Sequence, residues 1–362
     1  VATAAAPPPS FPRTAVTGIF ILLCLHAVVA AWAFLLPLTL SVMLYFLFMP
    51  AVRGLRRLRV PEWLGAALVV AAALAVLGAG ASALARPAAD WMARAPQSLE
   101  RLEGKVRRLT RPWAKVNETA QRIEQLAAGG EAPRARSAGP ASRPGMASAL
   151  LGGAREFLDG LVVVSALVYF LLASGDMFLR KLVRVLPTFR DKLRAVEIAR
   201  DVEKQVSSYM VSHTLLNLAF GTATALLVWA LGMPNPALWG AMAGITNYVP
   251  VLGALFTNVA LGLAALLTFD DPARALAVPL AFLALNLLES NFLYAAFVGR
   301  RMTLNAPVVF VAVTFWLWAW GVLGALLAVP ILATVKTLCA HSERLQAVAE
   351  FLGEEAEKPA QA

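Results

Sequence analysis

Glu289 is a carboxylate set deep inside an apolar run, nine residues before Val298, where that run ends. At 1.5 Å per residue this places it about 14 Å inward along a helix, near the middle of a ~30 Å hydrocarbon core. A charge there costs roughly 3 kcal/mol even on the lenient insertion scale, so an acid in such a place is a functional candidate by default. Asn286 and Ser290 fall within about 100° of it on a helical wheel, and Asn291 follows, giving one polar strip on an otherwise apolar helix. Such a strip could hydrogen-bond a small polyol or carry a proton on Glu289. It could equally be a structural carboxylate bonded to neighbouring backbone or to an arginine.

Two further asparagines, Asn247 and Asn258, flank a break in a second apolar stretch. That stretch (237–268) and a later one (304–338) share five residues, Val251-Leu252-Gly253-Ala254-Leu255 and Val322-Leu323-Gly324-Ala325-Leu326, offset by 71 residues from Val251 to Val322. The same offset superimposes Pro236 on Pro307. Each stretch exceeds the roughly 20 residues that one crossing takes. Each is interrupted near its middle, by Pro250 and Gly253 in the first and by Gly321 and Gly324 in the second. Proline and glycine there permit a turn and a close backbone approach. Paired, interrupted apolar segments in corresponding halves point to a transporter binding site. The asparagine amides would contact solute or satisfy the backbone groups that a broken helix leaves unpaired.

These residues need a membrane scaffold, and the composition supplies one. Of 362 residues, 59% are apolar and 15% charged, and the mean hydropathy is +0.68. A soluble chain carries about a quarter charged residues and no series of 20-residue apolar runs. The net charge of +10 fits basic loops that flank spans rather than a nucleic-acid partner. Cys24 and Cys339 suggest no disulfide framework, and the histidines at 26, 213 and 341 are scattered. The sequence contains no HExxH, CxxC, GxSxG or P-loop pattern, so neither an enzyme centre nor a metal or cofactor is expected.

The expected fold is an all-α polytopic helical bundle. Residues 1–85 hold three spans (14–33, 34–52 and 61–85), the first retained rather than cleaved as a signal peptide. Arg53, Arg56, Arg57 and Arg59 make the loop after the second span cytoplasmic, and with it the N-terminus. Residues 86–148 form a polar insert with an a/d stripe from Leu99 to Ile123 and a linker over 127–148. The stripe would pack on its own partner helix or between subunits. Residues 149–208 carry a fourth span (157–173) and a basic cytoplasmic stretch, with an amphipathic helix that Pro187 ends; it lies on the inner membrane surface or is a plain connector. Residues 209–338 form the transport core and 339–362 a cytoplasmic tail. If 237–268 and 304–338 each enter and leave on one side, Asp270 and Asp271 fall outside while Arg300, Arg301 and the C-terminus fall inside. Span-plus-hairpin units 209–268 and 275–338 then form an inverted repeat. The rival is a pair of long, tilted or kinked helices.

Several motifs occur in order: Pro236-Ala237-Leu238-Trp239-Gly240, Asn247-Tyr248-Val249-Pro250-Val251-Leu252-Gly253, Leu288-Glu289-Ser290-Asn291, Gly299-Arg300-Arg301, Asn305-Ala306-Pro307 and Trp320 through Pro330. This order resembles the autoinducer-2 exporter family of bacterial permeases. The chain departs from the family pattern at Tyr294-Ala295-Ala296, where a Thr-Pro-Arg-like step is usual. The resemblance implies a multi-pass inner-membrane transporter that exports autoinducer-2 or exchanges sodium for protons. It also implies a homo-oligomer, with pentamers as the type.

The expected function is therefore secondary export of a small polar solute such as autoinducer-2, with a monovalent-cation/proton antiporter as the alternative. The expected partners are that solute, or the cation and proton, together with the lipid bilayer. Arg300 and Arg301 would serve as a cytoplasmic anchor or a gate. A reading of another class is a non-transporting membrane scaffold acting through 86–148.

Overall fold

The computed structural model describes residues 13–91, 146–290, 304–342 and 345–353. Eleven helices follow one another among them: α1 (Arg13–Ala30), α2 (Trp32–Arg57), α3 (Glu62–Trp91), α4 (Met146–Ser174), α5 (Met177–Val185), α6 (Phe189–Ala230), α7 (Pro236–Thr246), α8 (Leu252–Thr268), α9 (Pro272–Leu288), α10 (Ala306–Ala340) and α11 (Gln346–Leu352). The one β-type pairing among the described residues is an isolated bridge between Leu304 and Gly353. The all-helical membrane class is therefore as expected. Among the described residues, five stretches are long and apolar enough to cross a bilayer: α2, α3, Phe157–Ser174 of α4, α6 and α10. The stripe from Leu99 to Ile123 and its linker lie outside the described residues.

The helices sort into two compact units. One comprises residues 1–71, 160–213 and 298–362, the other 72–159 and 214–297. In the first unit, Met49 and Val52 of α2, Ala66 of α3 and Val164, Val168 and Leu172 of α4 form a buried apolar cluster. Trp320 of α10 donates its indole N–H to the Val28 carbonyl of α1 at 3.1 Å. Salt bridges tie the helix ends: Arg53 to Glu203, Arg56 to Glu62 at 2.6 Å, and Arg200 to Asp176 at 3.6 Å. In the second unit, Phe220, Trp239, Leu261, Val278 and Phe282 join α6, α7, α8 and α9 in one core.

The basic stretch before residue 209 and the span after it form one helix, α6, rather than two elements. No proline or glycine occurs between Phe189 and Phe220, so polarity changes along the chain without breaking the backbone. At its far end, Gly232 adopts φ +79, and the Met233 and Gly232 amides donate to the Val228 and Trp229 carbonyls. This reciprocal cap stops the helix cleanly.

Small residues set how closely the helices approach. Gly240 and Gly244 of α7, four apart, meet Gly221 of α6. A Cβ added at Gly221 would come within 2.7 Å of the Gly240 carbonyl, and one at Gly244 within 2.9 Å of the Asn217 carbonyl. This is the small-xxx-small packing of membrane helices.

The twin Val-Leu-Gly-Ala-Leu segments obey the same rule. After α7 the chain turns through Asn247–Val251, with Val251 at φ +66, and α8 begins. A Cβ on Gly253 would overlap the Thr246 carbonyl. In α10 the backbone leaves helical geometry at Gly321 (φ 69, ψ −154). A Cβ on Gly324 would overlap the Trp316 carbonyl. In a straight helix residues eight apart are about 12 Å distant. The chain therefore folds back at Gly321 as it does after Thr246, and the matching glycines occupy matching close approaches.

Threonine hydroxyls inside these helices are satisfied locally. Thr222, Thr224, Thr268, Thr314, Thr334 and Thr337 each donate to the carbonyl four residues earlier at 2.7–3.0 Å.

At the end of α10, His341 bonds through Nδ1 with the Thr337 carbonyl at 2.8 Å and through Nε2 with Asp201 at 3.2 Å. Arg194 also donates to the His341 carbonyl at 3.1 Å. The Thr337 carbonyl first, and Asp201 with it, raise the His341 pKa against a smaller opposing effect of burial.

Two predictions follow from this packing. Gly253→Ala and Gly324→Ala should each lower thermal stability in detergent by about 1–3 kcal/mol, as overpacking does. Gly262→Ala, whose Cβ would meet only Pro279 at 3.8 Å, should be tolerated. Because the folded His341 pKa lies above its unfolded value, its stabilisation is complete below about pH 6.5 and fades as pH rises through the folded value. Melting curves of wild type and His341→Gln should therefore differ in acid and converge in mild alkali.

Candidate functional site

The turn between α7 and α8 brings together residues that are far apart in sequence, all within the second unit. Asn247 caps α7 and donates its side-chain amide to Asn217 Oδ1 of α6 at 2.9 Å. It also hydrogen-bonds the Glu289 carboxylate. The next residue, Tyr248, donates its hydroxyl to Thr214 Oγ1, one helical turn from Asn217, at 2.8 Å. Just behind the turn, the Thr246 and Thr257 hydroxyls lie 2.7 Å apart and link α7 to α8. The broken segment is thus pinned to α6 by two side-chain bonds and to α9 by a third.

Glu289 is buried, with 4% of its surface exposed. It follows Leu288, the last residue of α9, with helical backbone angles (φ −60°, ψ −52°), and Glu289–Ser290 take π-type hydrogen bonding. Such turns recur at functional sites, because they re-aim side chains out of the helical register. Ser290 donates to Glu289 Oε2 at 3.4 Å. The expected strip of Asn286, Glu289 and Ser290 therefore divides. Ser290 engages the carboxylate from an exposed position, and Asn286 is half-buried one turn back, where its backbone carbonyl accepts from the Glu289 amide.

Asn258 sits one residue beyond Thr257 on α8. Its buried Oδ1 accepts no hydrogen bond among the described residues. Pro250 lies in the turn and Gly253 at the start of α8; Gly321 and Gly324 form the other fold-back, in the first unit. Asn291, Arg300 and Arg301 lie outside the described residues. Among those described, no group of histidine, cysteine and acidic side chains is arranged to hold a metal.

The α6 partners were not singled out from sequence, although a signal exists. Thr214, Asn217, Gly221 and Thr224 recur at spacings of three and four within an apolar run, marking one small or polar face. Tyr248 stands inside the Asn-Tyr-Val-Pro motif and was passed over for its asparagine.

Chemically, the cluster is a buried carboxylate ringed by amides and hydroxyls. It offers donors and acceptors in a setting where unmet polar groups are expensive. It can bind a compact polar molecule or hold a proton on the carboxylate. Residues 18–344 match the family model described as AI-2E family transporter.

The chain belongs to this family.

A putative transport protein of Haemophilus influenzae is 22% identical over 342 residues, 92% of this chain and 94% of that protein. The AI-2 transport protein TqsA of Escherichia coli K12 is 27% identical over 197 residues, 54% of this chain and 56% of its own length. The putative transport protein YhhT of the same strain is 32% identical over 133 residues, 37% of this chain and 38% of its own. The AI-2E membership and the apolar helices together establish a multi-pass membrane transporter.

The pinning bonds should be coupled. Asn217→Leu and Asn247→Leu should each destabilise by about 1–3 kcal/mol, because the first strands the half-buried Asn247 and the second the buried Asn217. The double variant should lose clearly less than the sum, which thermal unfolding of the four proteins in a mutant cycle would register.

Proposed function

We propose that this AI-2E transporter is a bacterial inner-membrane secondary transporter that exports a small polar solute of the autoinducer-2 kind. The α6–turn–Glu289 cluster lines its path. The observation that carries this reading is the buried Glu289 carboxylate bonded to Asn247 at the tip of a broken helix. A broken helix inside an apolar segment is tolerated where it is packed in protein or faces a watery cavity. In many transporters such breaks are where solute binds.

Helix lengths support the same topology. At 1.5 Å per residue, α7 is about 16 Å long and α8 about 25 Å, each short of a ~30 Å core. The arms of α10 on either side of Gly321 are about 22 and 28 Å on the same measure. On this reading both folded segments enter and leave on one side, the termini are cytoplasmic, and Asn247 and Asn258 face the path beside Glu289. A homo-oligomer would accommodate the large apolar surface. Exchange of a monovalent cation for a proton at Glu289 is the second reading, favoured by the same buried carboxylate.

Uptake into reconstituted vesicles, with and without imposed sodium and proton gradients, tests both. Export of a neutral polyol should persist in Glu289→Gln at a rate reduced about tenfold, one lost charge-assisted hydrogen bond. Complete loss of gradient-coupled sodium flux in that variant, with no polyol transport by wild type, would instead establish the exchanger.

A further inference from the structure

A cavity of about 650 Å³ lies in the first unit between the last turns of α2 and residues 200–212 of α6. A second, of about 440 Å³, adjoins it and shares Met49, Arg53, Arg57 and Arg200. Four cations line the larger cavity: Arg53, Arg57, Arg200 and Lys204. Its two carboxylates are engaged, Glu203 by Arg53 and Asp201 by His341. Arg200 is paired with Asp176. No carboxylate among the described residues pairs with Arg57 or Lys204. Ser207, Ser208 and Ser212 add their hydroxyls to its lining.

We propose that this cavity binds a phosphate group, presented by the headgroup of an anionic phospholipid in the leaflet on the arginine-rich side. Two cations with no carboxylate partner among the described residues, together with three serine hydroxyls, match a phosphodiester, which needs charge compensation and several donors at once. Basic pockets between membrane helices at the cytoplasmic face bind acidic headgroups on the same principle.

The depth of the cavity favours lipid as the source. Asp176, which closes the smaller cavity, immediately precedes α5. That helix exposes Phe178, Leu182 and Val185 at spacings of four and three, and it carries Arg180, Lys181 and Arg184. A short helix with an unpartnered apolar stripe and a basic flank settles where acyl chains meet headgroups. The mouth of the cavity is then level with lipid phosphate. A soluble phosphate compound would use the same donors but would gain nothing from that depth. The assignment is independent of which solute the Glu289 cluster handles.

The test uses the full chain, purified and delipidated in neutral detergent. Binding of phosphatidylglycerol, phosphatidylcholine and inorganic phosphate is measured by native mass spectrometry and calorimetry. The variants are Arg57→Gln/Lys204→Gln, the charge-conserving Arg57→Lys/Lys204→Arg, and the control pair Arg190→Gln/Lys192→Gln, which lies outside both cavities. Neither Arg57 nor Lys204 forms a salt bridge among the described residues, so thermal melting should confirm an intact fold.

Phosphatidylglycerol should bind wild type about tenfold more tightly than phosphatidylcholine, about 1.4 kcal/mol, and the Gln pair should abolish that preference. The charge-conserving pair and the control pair should retain it. Inorganic phosphate bound with the same dependence, without a phosphatidylglycerol preference, would assign the site to a soluble phosphate and overturn the lipid source. Equal binding of both lipids with no phosphate binding, or an equal loss in the control pair, would overturn the site itself.

Discussion

A helix that stops inside hydrocarbon exposes amides and carbonyls that no lipid can satisfy. Two apolar segments of this structure break in this way, one after Thr246 and one at Gly321. At each break the backbone doubles back so closely that one residue must lack a side chain. Gly253 lies on the Thr246 carbonyl and Gly324 on the Trp316 carbonyl. Gly221, Gly240 and Gly244 then let α6 come near enough for its side chains to reach the first turn. In a membrane interior, where burial of apolar surface drives little association, such steric fit takes over part of the role that the hydrophobic effect has in water.

The polar cluster is the other half of the same solution. Asn247 and Tyr248 sit at the turn because the turn needs polar partners, and Asn217 and Thr214 stand one helical turn apart on α6 to receive them. Glu289 joins at the end of α9. On the proposed reading, structural satisfaction and solute binding are not competing accounts of these residues. An amide that holds a broken helix in place would also be held in place for a solute, and pre-organisation of this sort lowers the ordering cost of binding.

Much of this was legible in the residues alone. The twin five-residue segments marked both breaks, because glycine at a fixed position within a repeat reports a backbone requirement rather than a packing preference. The arginines at 53, 56, 57 and 59 marked the end of α2. The unity of α6 was harder to see. Charge density fell sharply near residue 209, yet helix propensity did not, and polarity boundaries and helix boundaries have different causes. The face of α6 that holds Asn217 has a three-four spacing, but that pattern alone reads as close helix packing; the meaning of Asn217 lies in Asn247, which only the fold brings near. Along α9 the members of the polar strip differ in burial, Glu289 enclosed, Asn286 half-buried and Ser290 exposed, which a helical wheel does not report.

The threonines add a last consequence. Six of them return their hydroxyl protons to the carbonyl one turn behind, so what each shows its surroundings is chiefly a methyl group. Hydropathy scales that score every threonine as hydrated therefore overstate the polarity of α6, α8 and α10. The polar side chains around the α7–α8 turn differ from these six, because Asn217, Asn247, Tyr248 and Thr214 spend their bonds between elements rather than within one helix. If the second unit lines the proposed path, a solute crossing the bilayer would find its polar partners gathered near that turn.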